Sequence, residues 1–288
     1  MTNKTYGVLY VVATPIGNLG DISSRAVEVL HAVDIIAAED TRHSAKLLQH
    51  FGISTRLIAY HEYSNEQRLE KILSLLTEGQ SVALISDAGT PLISDPGYAL
   101  VGLARDQGVS VVPLPGACAV IAALSVSGLP CNEFVFQGFL PAKSVSRRNV
   151  FNALLNEQRT VVFYESPHRI VDSLHDLQAE LGAQRYVVLA RELTKTYETV
   201  LSGEIESLLQ QVQADTNQQR GEFVVLVKGV EKTVDHEPLI TEEAEKLMRV
   251  LLDHVPVKVA STIAAKVTGL KKRDLYQWTL SIRNGQES

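Results

Sequence analysis

Short apolar runs recur along the chain, each ending in a polar cluster rich in Gly, Pro, Asp or Ser and followed by apolar residues at helical spacing. A brief β-branched and aliphatic run bounded by turn residues predicts a buried strand, and apolar residues at i, i+3 and i+4 predict an amphipathic helix. On that reading residues 6–13, 34–38, 57–60, 82–85 and 109–114 are strands. Between them stand a helix carrying Ile22, Ala26, Val29 and Leu30, a helix over 44–50, and one marked by Leu69, Ile72, Leu73 and Leu76. A fourth helix ends near Arg105, and a long apolar one runs to Ser127. Five alternations of strand and helix predict a parallel α/β domain over residues 1–128.

The pattern changes after Leu129-Pro130-Cys131-Asn132, the expected hinge to a second α/β domain over residues 129–230. Strands are expected at 134–138, 160–164, 186–190, 198–201 and 222–227, with the helix carrying Arg147 and Arg148 between the first two. Short connections near Thr196 and Gly221 favour antiparallel pairing, so this sheet should be mixed. Residues 230–238 read as a charged linker. Beyond it, 239–254, 257–267 and 271–282 are three helical patterns in a region, 239–288, expected to form a small bundle; Gly269 is placed as in a helix-turn-helix connection.

The loops at the strand ends carry the candidate chemistry, since ligands of open α/β sheets sit beyond the carboxyl ends of the strands. The densest is SDAGTPLISDPG, residues 86–97. Gly89 lets backbone approach a ligand, and Pro91 and Pro96 fix φ on either side. Asp95 is expected to cap a helix opening at Pro96, and Asp21 and Ser166 to cap two others. The first loop, residues 14–21, has Pro15 ahead of two glycines rather than the three of GxGxxG, so a dinucleotide turn is not supported. Glu39-Asp40-Thr41-Arg42-His43 could position a substrate and move a proton, or could cap the helix behind it; both readings stay open here. His61, in a polar loop over 61–66, reads as a hydrogen-bonded surface residue.

Composition sets the bounds. At 288 residues, 45% hydrophobic and 21% charged, the chain reads as an ordinary globular protein. No apolar run nears the roughly 18 to 20 residues of a membrane span, and MTNKTYGV lacks a signal peptide's apolar middle, so a cytoplasmic protein without a membrane role is expected. Cys118 and Cys131 are too few for a disulfide framework or a thiolate metal site, and no metal is expected. The net charge of -6 hides two basic clusters. Lys143, Arg147 and Arg148 form one, while Lys271, Lys272 and Arg273 lie in a tail whose other charges include Lys258, Lys266 and Arg283 against Asp274. Each could be a solvated face; together they make phosphate contact plausible.

TPIGNLGD, AAEDTRH, SDAGTPLISDPG, PLPGA, FYESPHR, ARELTKTYE and GEFVVLV stand in this order along the chain. With them the chain resembles the ribosomal RNA small subunit methyltransferase I family, a branch of the tetrapyrrole methylase superfamily, over essentially its whole length. The resemblance implies two α/β domains of the tetrapyrrole methylase type with a small helical C-terminal extension, S-adenosylmethionine as cofactor, and a homodimer. It implies transfer of a methyl group to the ribose 2'-hydroxyl of a cytidine in the decoding region of 16S rRNA, in the small ribosomal subunit. By position it places the cofactor against Pro15, Asp87, Gly89, Pro115, Gly116, Ala117, Cys118, Glu165, Ser166, Leu193 and Gly221. Such a reaction needs an aligned hydroxyl and either a base or a cation for the developing alkoxide, for which Glu39, Asp40, Arg42 and Lys195 are the candidates. RNA contact falls to Lys143, Arg147, Arg148, Lys271, Lys272 and Arg273. The rivals are a relative methylating a tetrapyrrole or a protein side chain, a non-catalytic RNA-binding module, and, last, a nicotinamide enzyme.

Overall fold

The computed structural model describes residues 6–61, 66–231 and 240–285. The loop over 62–65 and most of the linker expected at 230–238 therefore lie outside the described residues.

Strands β1 (Val8–Val12), β2 (Ile35–Ala38), β3 (Arg56–Ala59), β4 (Val82–Ile85) and β5 (Ser110–Leu114) form one parallel sheet in the order β3-β2-β4-β1-β5. Successive side chains of a strand alternate between faces, and here both faces are covered. Ile35 and Ala37 join one core with Leu9, Leu84, Ile72, Leu76 and Leu100, while Ile36 and Ala38 join the other with Val12, Ile85, Ala26, Leu30 and Leu48. The covering helices are α1 (Ser24–Ala32), α2 (Thr41–His50), α3 (Glu66–Thr77) and α4 (Tyr98–Asp106). From β1 the chain crosses toward β2 and from β4 toward β5, in opposite directions, so the adjacent ends of β1 and β4 form the crevice where such sheets bind ligands.

Helix α5 (Ala119–Ser127) buries Val120, Ala123 and Leu124 against Val162, Val188, Ala190, Val224 and Leu226 of a second sheet. That sheet consists of β6 (Phe134–Phe139), β7 (Thr160–Glu165), β8 (Tyr186–Arg191), β9 (Thr199–Glu204) and β10 (Phe223–Val227), ordered β6-β7-β10-β8-β9. It is mixed: β6 and β7 are parallel, and β10 runs antiparallel to β7 and β8, as β9 does to β8. Its other face is buried by α6 (Ser144–Asn152), α7 (Ile170–Leu181) and α8 (Ile205–Ala214) through Phe151, Phe163, Leu174, Leu189, Leu208 and Val225. Both sheets lie in one compact unit, Met1–Val230.

The second unit, Glu231–Ser288, holds α9 (Glu242–Leu252), α10 (Val257–Thr268) and α11 (Lys272–Gly285). Thr241 Oγ1 accepts from Ala244 N to cap α9, and Gly269 ends α10 in the left-handed region at φ 75°. Ala244, Met248, Ala260, Ala264 and Leu275 form its core, with Trp278 against it. No helix among the described residues is long and apolar enough to cross a membrane.

Three expected caps are corrected. Ser23, not Asp21, caps α1 by accepting from Ala26 N at 3.1 Å, and Asp21 closes a 3-10 turn instead. Helix α4 opens at Tyr98 behind Gly97 with no side-chain cap, so Asp95 is free of that duty. Helix α7 opens at Ile170, and Ser166 accepts from His168 N in the turn before it. Helix α2 opens three residues earlier than expected because the Asp40 carboxylate caps it, accepting from Arg42 N at 2.8 Å.

Candidate active site

A cavity of about 560 Å³ opens beyond β1, β2 and β4 and is closed on its far side by the second sheet. From the first sheet it takes Ile16, Glu39, Asp87, Gly89, Thr90 and Asp95; from the second, Phe139, Tyr164, Glu165, Ser166, Leu193, Glu222 and Phe223. Cys118, at the start of α5, completes the lining between them.

The backbone explains the convergence. Thr14 and Gly89 form an isolated bridge, with Thr14 Oγ1 also donating to Ser86 O at 3.1 Å. Gly89 sits at φ 87°, where a β-carbon is strained, and this lets the loop turn under the cavity. Thr90 Oγ1 donates to Ala117 O at 3.0 Å and fixes the turn before α5. Phe136 and Phe139 meet Tyr164 edge-on, with ring centroids 4.9 and 5.3 Å away, to build an aromatic wall.

The carboxylates are held in distinct ways. Glu165 is 2% exposed and accepts from Ser166 N at 2.6 Å, Arg169 Nη2 at 2.7 Å, Arg169 Nε at 3.0 Å and Ser173 Oγ. Four donors leave it a fixed structural anion. Asp87 accepts from Asp40 N at 3.1 Å. Glu222 binds Lys195 Nζ at 2.9 Å. Asp95 has none of these: burial pushes its carboxyl up to about 6, against the Ser86 hydroxyl and with help from the charges of Glu39 and Asp87. Burial likewise raises the Tyr164 hydroxyl.

Of the sequence-selected residues, Glu39, Asp87, Gly89, Cys118, Glu165, Ser166 and Leu193 line the cavity. Pro15, Pro115, Gly116, Ala117 and Gly221 lie in the backbone framing it: a β-carbon on Gly116 would sit 2.8 Å from that of Ala13, and one on Gly221 only 2.4 Å from Glu192 Cγ. Asp40 and Arg42 do not line it. Their side chains pair at 3.2 Å, with Arg42 90% exposed, and hydrogen bonding from Arg42 holds the Asp40 carboxyl below its ordinary value. Lys195 stands in a separate cleft with Gly17, Asn18, Thr194 and Tyr197. Burial opposes its charge, but Glu192 and Glu222, each at 2.9 Å, outweigh that and raise it. Glu198, three residues on, accepts from Thr194 N at 2.6 Å.

Sequence reading missed Asp95, Phe139, Tyr164 and Glu222 in the lining. For Glu222 the neighbouring Gly221 was a signal; for the aromatic residues a strand pattern carries none.

The basic clusters separate as well. Arg147 is corrected: it is 2% exposed, ion-paired with Asp176 at 2.5 Å and bound to the carbonyls of Pro141 and Ala142, so it is a buried strut with nothing left for a phosphate. Lys143 is exposed, and Arg148 is half-exposed against Glu180. Lys271, Lys272 and Arg273 are all exposed at the start of α11. Among the described residues no group of His, Cys, Asp and Glu could hold a metal ion.

Comparison with known proteins follows the same division. The profile of the tetrapyrrole (corrin/porphyrin) methylases matches residues 8–209, and that of the RsmI C-terminal HTH domain matches 238–283. Ribosomal RNA small subunit methyltransferase I of Escherichia coli O157:H7 is 52% identical over 278 residues, 96% of each chain. Its counterpart from Pseudomonas aeruginosa is 53% identical over 274 residues, 95% of this chain and 97% of that one. Among solved structures, diphthine synthase shares the fold at a TM-score of 0.57 and 16% identity, over 77% of this chain and 90% of that one. Uroporphyrin-III-C-methyltransferase from Thermus thermophilus shares it at 0.54 and 19%, over 77% and 94%. With the first profile spanning all of the first sheet and four of the five strands of the second, and the second profile spanning most of the helical unit, the chain belongs to the tetrapyrrole (corrin/porphyrin) methylases and, within them, to the ribosomal RNA small subunit methyltransferase I family.

Proposed function

We propose that this protein uses S-adenosylmethionine to methylate the 16S rRNA of the small ribosomal subunit, at the ribose 2'-hydroxyl of a cytidine in the decoding region. The observation that carries the cofactor assignment is the charge of the cavity. Glu39, Asp87, Asp95, Glu165 and Glu222 line it, and no Lys, Arg or His does among the described residues. Such a site suits a cationic ligand and repels a pyrophosphate, which argues against a nicotinamide dinucleotide. Its volume falls within the roughly 300–1,000 Å³ of small-molecule pockets. Tyr164, Phe139, Ile16 and Leu193 offer apolar and aromatic surface for a nucleoside.

Bound there, S-adenosylmethionine would supply a methyl group activated by a sulfonium centre. The protein's share is to align the acceptor hydroxyl, keep water out and take up a proton. Asp87 is held by Asp40 N and Glu165 by Arg169, so both present fixed negative charge. Among the four sequence candidates only Glu39 lines the cavity; Asp40 caps α2 and, through its N–H, orients Asp87. Arg42 is left with the role of an exposed cation for RNA phosphate, and Lys195 with that of an anchor for Glu222.

The RNA acceptor is supported by the helical unit, where Lys271, Lys272 and Arg273 stand exposed at the start of the second helix of a helix-turn-helix pair. Recognition helices present their first turn to nucleic acid, and basic residues there supply salt-dependent contacts to phosphate. The relatives that act on tetrapyrroles resemble this chain in fold alone. The test is incubation of the protein with methyl-labelled cofactor and small subunits lacking the modification, followed by mass spectrometry of the digested RNA. Label on a cytidine 2'-oxygen is expected; bound cofactor without label would defeat the acceptor assignment.

A further inference from the structure

Residues with a side chain seldom adopt the left-handed region, yet among the described residues four do, in two pairs. Leu92 and Ser94 stand at φ 74° and 64°, and Glu192 and Thr194 at φ 50° and 67°. Each pair brackets one aliphatic residue of the cavity lining, Ile93 in the first and Leu193 in the second. The two differ in exposure. Leu193 is 8% exposed and packs in the core beside α5, whereas Ile93 is 37% exposed. Strain at Leu92 and Ser94 therefore displays an apolar side chain at the cavity mouth.

The second sheet displays another. Residues three apart on a regular strand point to opposite faces, but Phe136 and Phe139 of β6 both meet Tyr164 edge-on. The register slip between them, with Gly138 at φ 70°, turns Phe139 back toward Tyr164. Its ring is still 61% exposed. A β-carbon on Gly138 would lie 3.3 Å from Ser94 Oγ, so the strained loop and the bulge meet. Ile93 and Phe139 adjoin that meeting point on either side and share one opening. A single exposed aromatic residue is ordinary, but one held at a cavity rim by a bulge, beside an apolar residue held there by strain, is a built surface.

We propose that Phe139 is the platform on which the base of the acceptor nucleotide stacks, with Ile93 bounding the same slot, an assignment that rests on the rRNA methyltransferase reading above. A ribose hydroxyl of folded RNA reaches a donor inside a cavity only if its nucleotide leaves the stack, and a base that has left it needs an aromatic or apolar face in exchange. Two nucleosides meet in this reaction. The sheltered surfaces of Ile16, Tyr164 and Leu193 suit the cofactor's, and the open ring of Phe139 suits the acceptor's. Cations for the flanking phosphates follow closely in sequence: exposed Lys143 four residues after Phe139, and Arg42, 90% exposed, three residues after Glu39 of the lining. Every base has a π-face, so the platform positions the nucleotide without identifying it as a cytidine.

The experiment compares full-length wild-type protein with Phe139→Ala, Phe139→Leu and Phe139→Trp on small subunits lacking the modification. Cofactor affinity is read by calorimetry, stability by thermal melting, and the single-turnover rate at saturating cofactor and limiting subunit. The expected rate of Phe139→Ala is lower by about tenfold to a hundredfold, the worth of one base–aromatic stack. Loss of an exposed ring should leave melting unchanged and cofactor affinity within about twofold. Phe139→Trp should restore the rate to within about threefold, and Phe139→Leu, which keeps apolar bulk without a π-face, should not. Ile93→Ala should lose less, about threefold to tenfold. A Phe139→Leu protein as fast as wild type overturns the proposal and points to an apolar protein surface as the partner. A Phe139→Ala deficit matched by weaker cofactor binding overturns it by giving the ring to the cofactor, and a wild-type rate for Phe139→Ala overturns it outright. Wild-type protein that binds cofactor but leaves the subunit unlabelled overturns the acceptor reading and the platform with it, and is seen before any variant is compared.

Discussion

Thr14 and Gly89 exchange backbone hydrogen bonds, Thr14 N to Gly89 O at 2.9 Å and Gly89 N to Thr14 O at 3.0 Å, and so fasten the loop after β1 to the loop after β4. The two loops leave strands that are neighbours in the sheet but whose onward connections part in opposite directions. The bridge therefore spans the crevice and sets the floor of the cavity.

Gly89→Ala tests that floor. A β-carbon there would meet Ile16 Cγ2 at 3.4 Å and Ala117 O at 3.8 Å, ordinary contacts, so the cost is in the backbone at φ 87°. That cost is about 1–2 kcal/mol. The expected result is a melting temperature lower by several degrees, with weaker cofactor binding, since relief of the strain would pull the loop off Thr14. Unchanged melting and affinity would show that the bridge is not required.

Arg147 and Asp176 form a buried pair, so Arg147→Ala leaves an unpaired carboxylate between α6 and α7. Breaking such a pair costs about 3–5 kcal/mol. Lys143→Ala, at an exposed position one turn away, should leave melting unchanged and lower the salt dependence of RNA binding by less than one unit of log–log slope. Denaturant unfolding and binding titrations at several salt concentrations separate the two outcomes. An Arg147→Ala protein of normal stability that binds RNA poorly would restore Arg147 to the interface.

These residues show what a sequence makes legible and what it hides. The alternation of Ile35, Ile36, Ala37 and Ala38 between two cores follows from strand geometry, and a continuous apolar run announces it. Much of the cavity lining was legible because strand ends are where open sheets bind ligands. Arg147 was not, because its partner Asp176 lies 29 residues away and only packing of α6 on α7 buries both. Asp95 was misread for a related reason. Asp-Pro before a helical pattern is a cap by local rules, and the positive φ of Leu92 and Ser94 that removes it from that role is held in place by Gly138 on the other sheet.

Lys195 is expected to matter for stability more than for the chemical step. Its ammonium already has Glu192 and Glu222 at 2.9 Å, and a β-carbon on Gly17 would sit 2.4 Å from its Cγ, so it ties two loops together. Lys195→Met should cost about 1 kcal/mol, small because the network is partly exposed, and should change the single-turnover rate by less than about tenfold. The stabilisation from its raised pKa is present below about pH 10 and fades as pH rises through the folded-state value, so the variant and wild type should converge in strong alkali. A hundredfold loss of rate at normal stability would instead place its charge at the reacting oxygen.

The triple variant Lys271→Ala, Lys272→Ala, Arg273→Ala removes the exposed charge at the start of α11. Each phosphate contact to single-stranded RNA contributes about 0.7 to the slope of log affinity against log salt, so the slope should flatten by about 2. Cofactor affinity, measured in parallel, should be unchanged. An unaltered slope would assign the helical unit to a role other than RNA contact.

Asp95→Asn should stabilise the free protein at neutral pH. Because burial and two like charges raise the folded-state pKa from 3.8 to about 6, the folded state binds more protons than the unfolded state between about pH 4 and 6. Stability of the wild type must therefore fall as pH rises through that window, and above it the folded protein carries the full cost of an ionised, half-buried carboxylate. Below about pH 4 both states are protonated and the cost vanishes. Asparagine has the same shape and no charge, so the variant should gain on the order of 1 kcal/mol at pH 7.5, after allowance for the screening of a partly exposed group. The gain should disappear near pH 4. Saturating cofactor should shrink it at pH 7.5 too, because a bound cation relieves the wild-type carboxylate and does little for the amide. Chemical denaturation at pH 4, 6 and 7.5, with and without S-adenosylmethionine, reads all three expectations; a variant less stable than wild type at every pH would mean that the carboxylate is held by a structural bond that outweighs the cost of its burial.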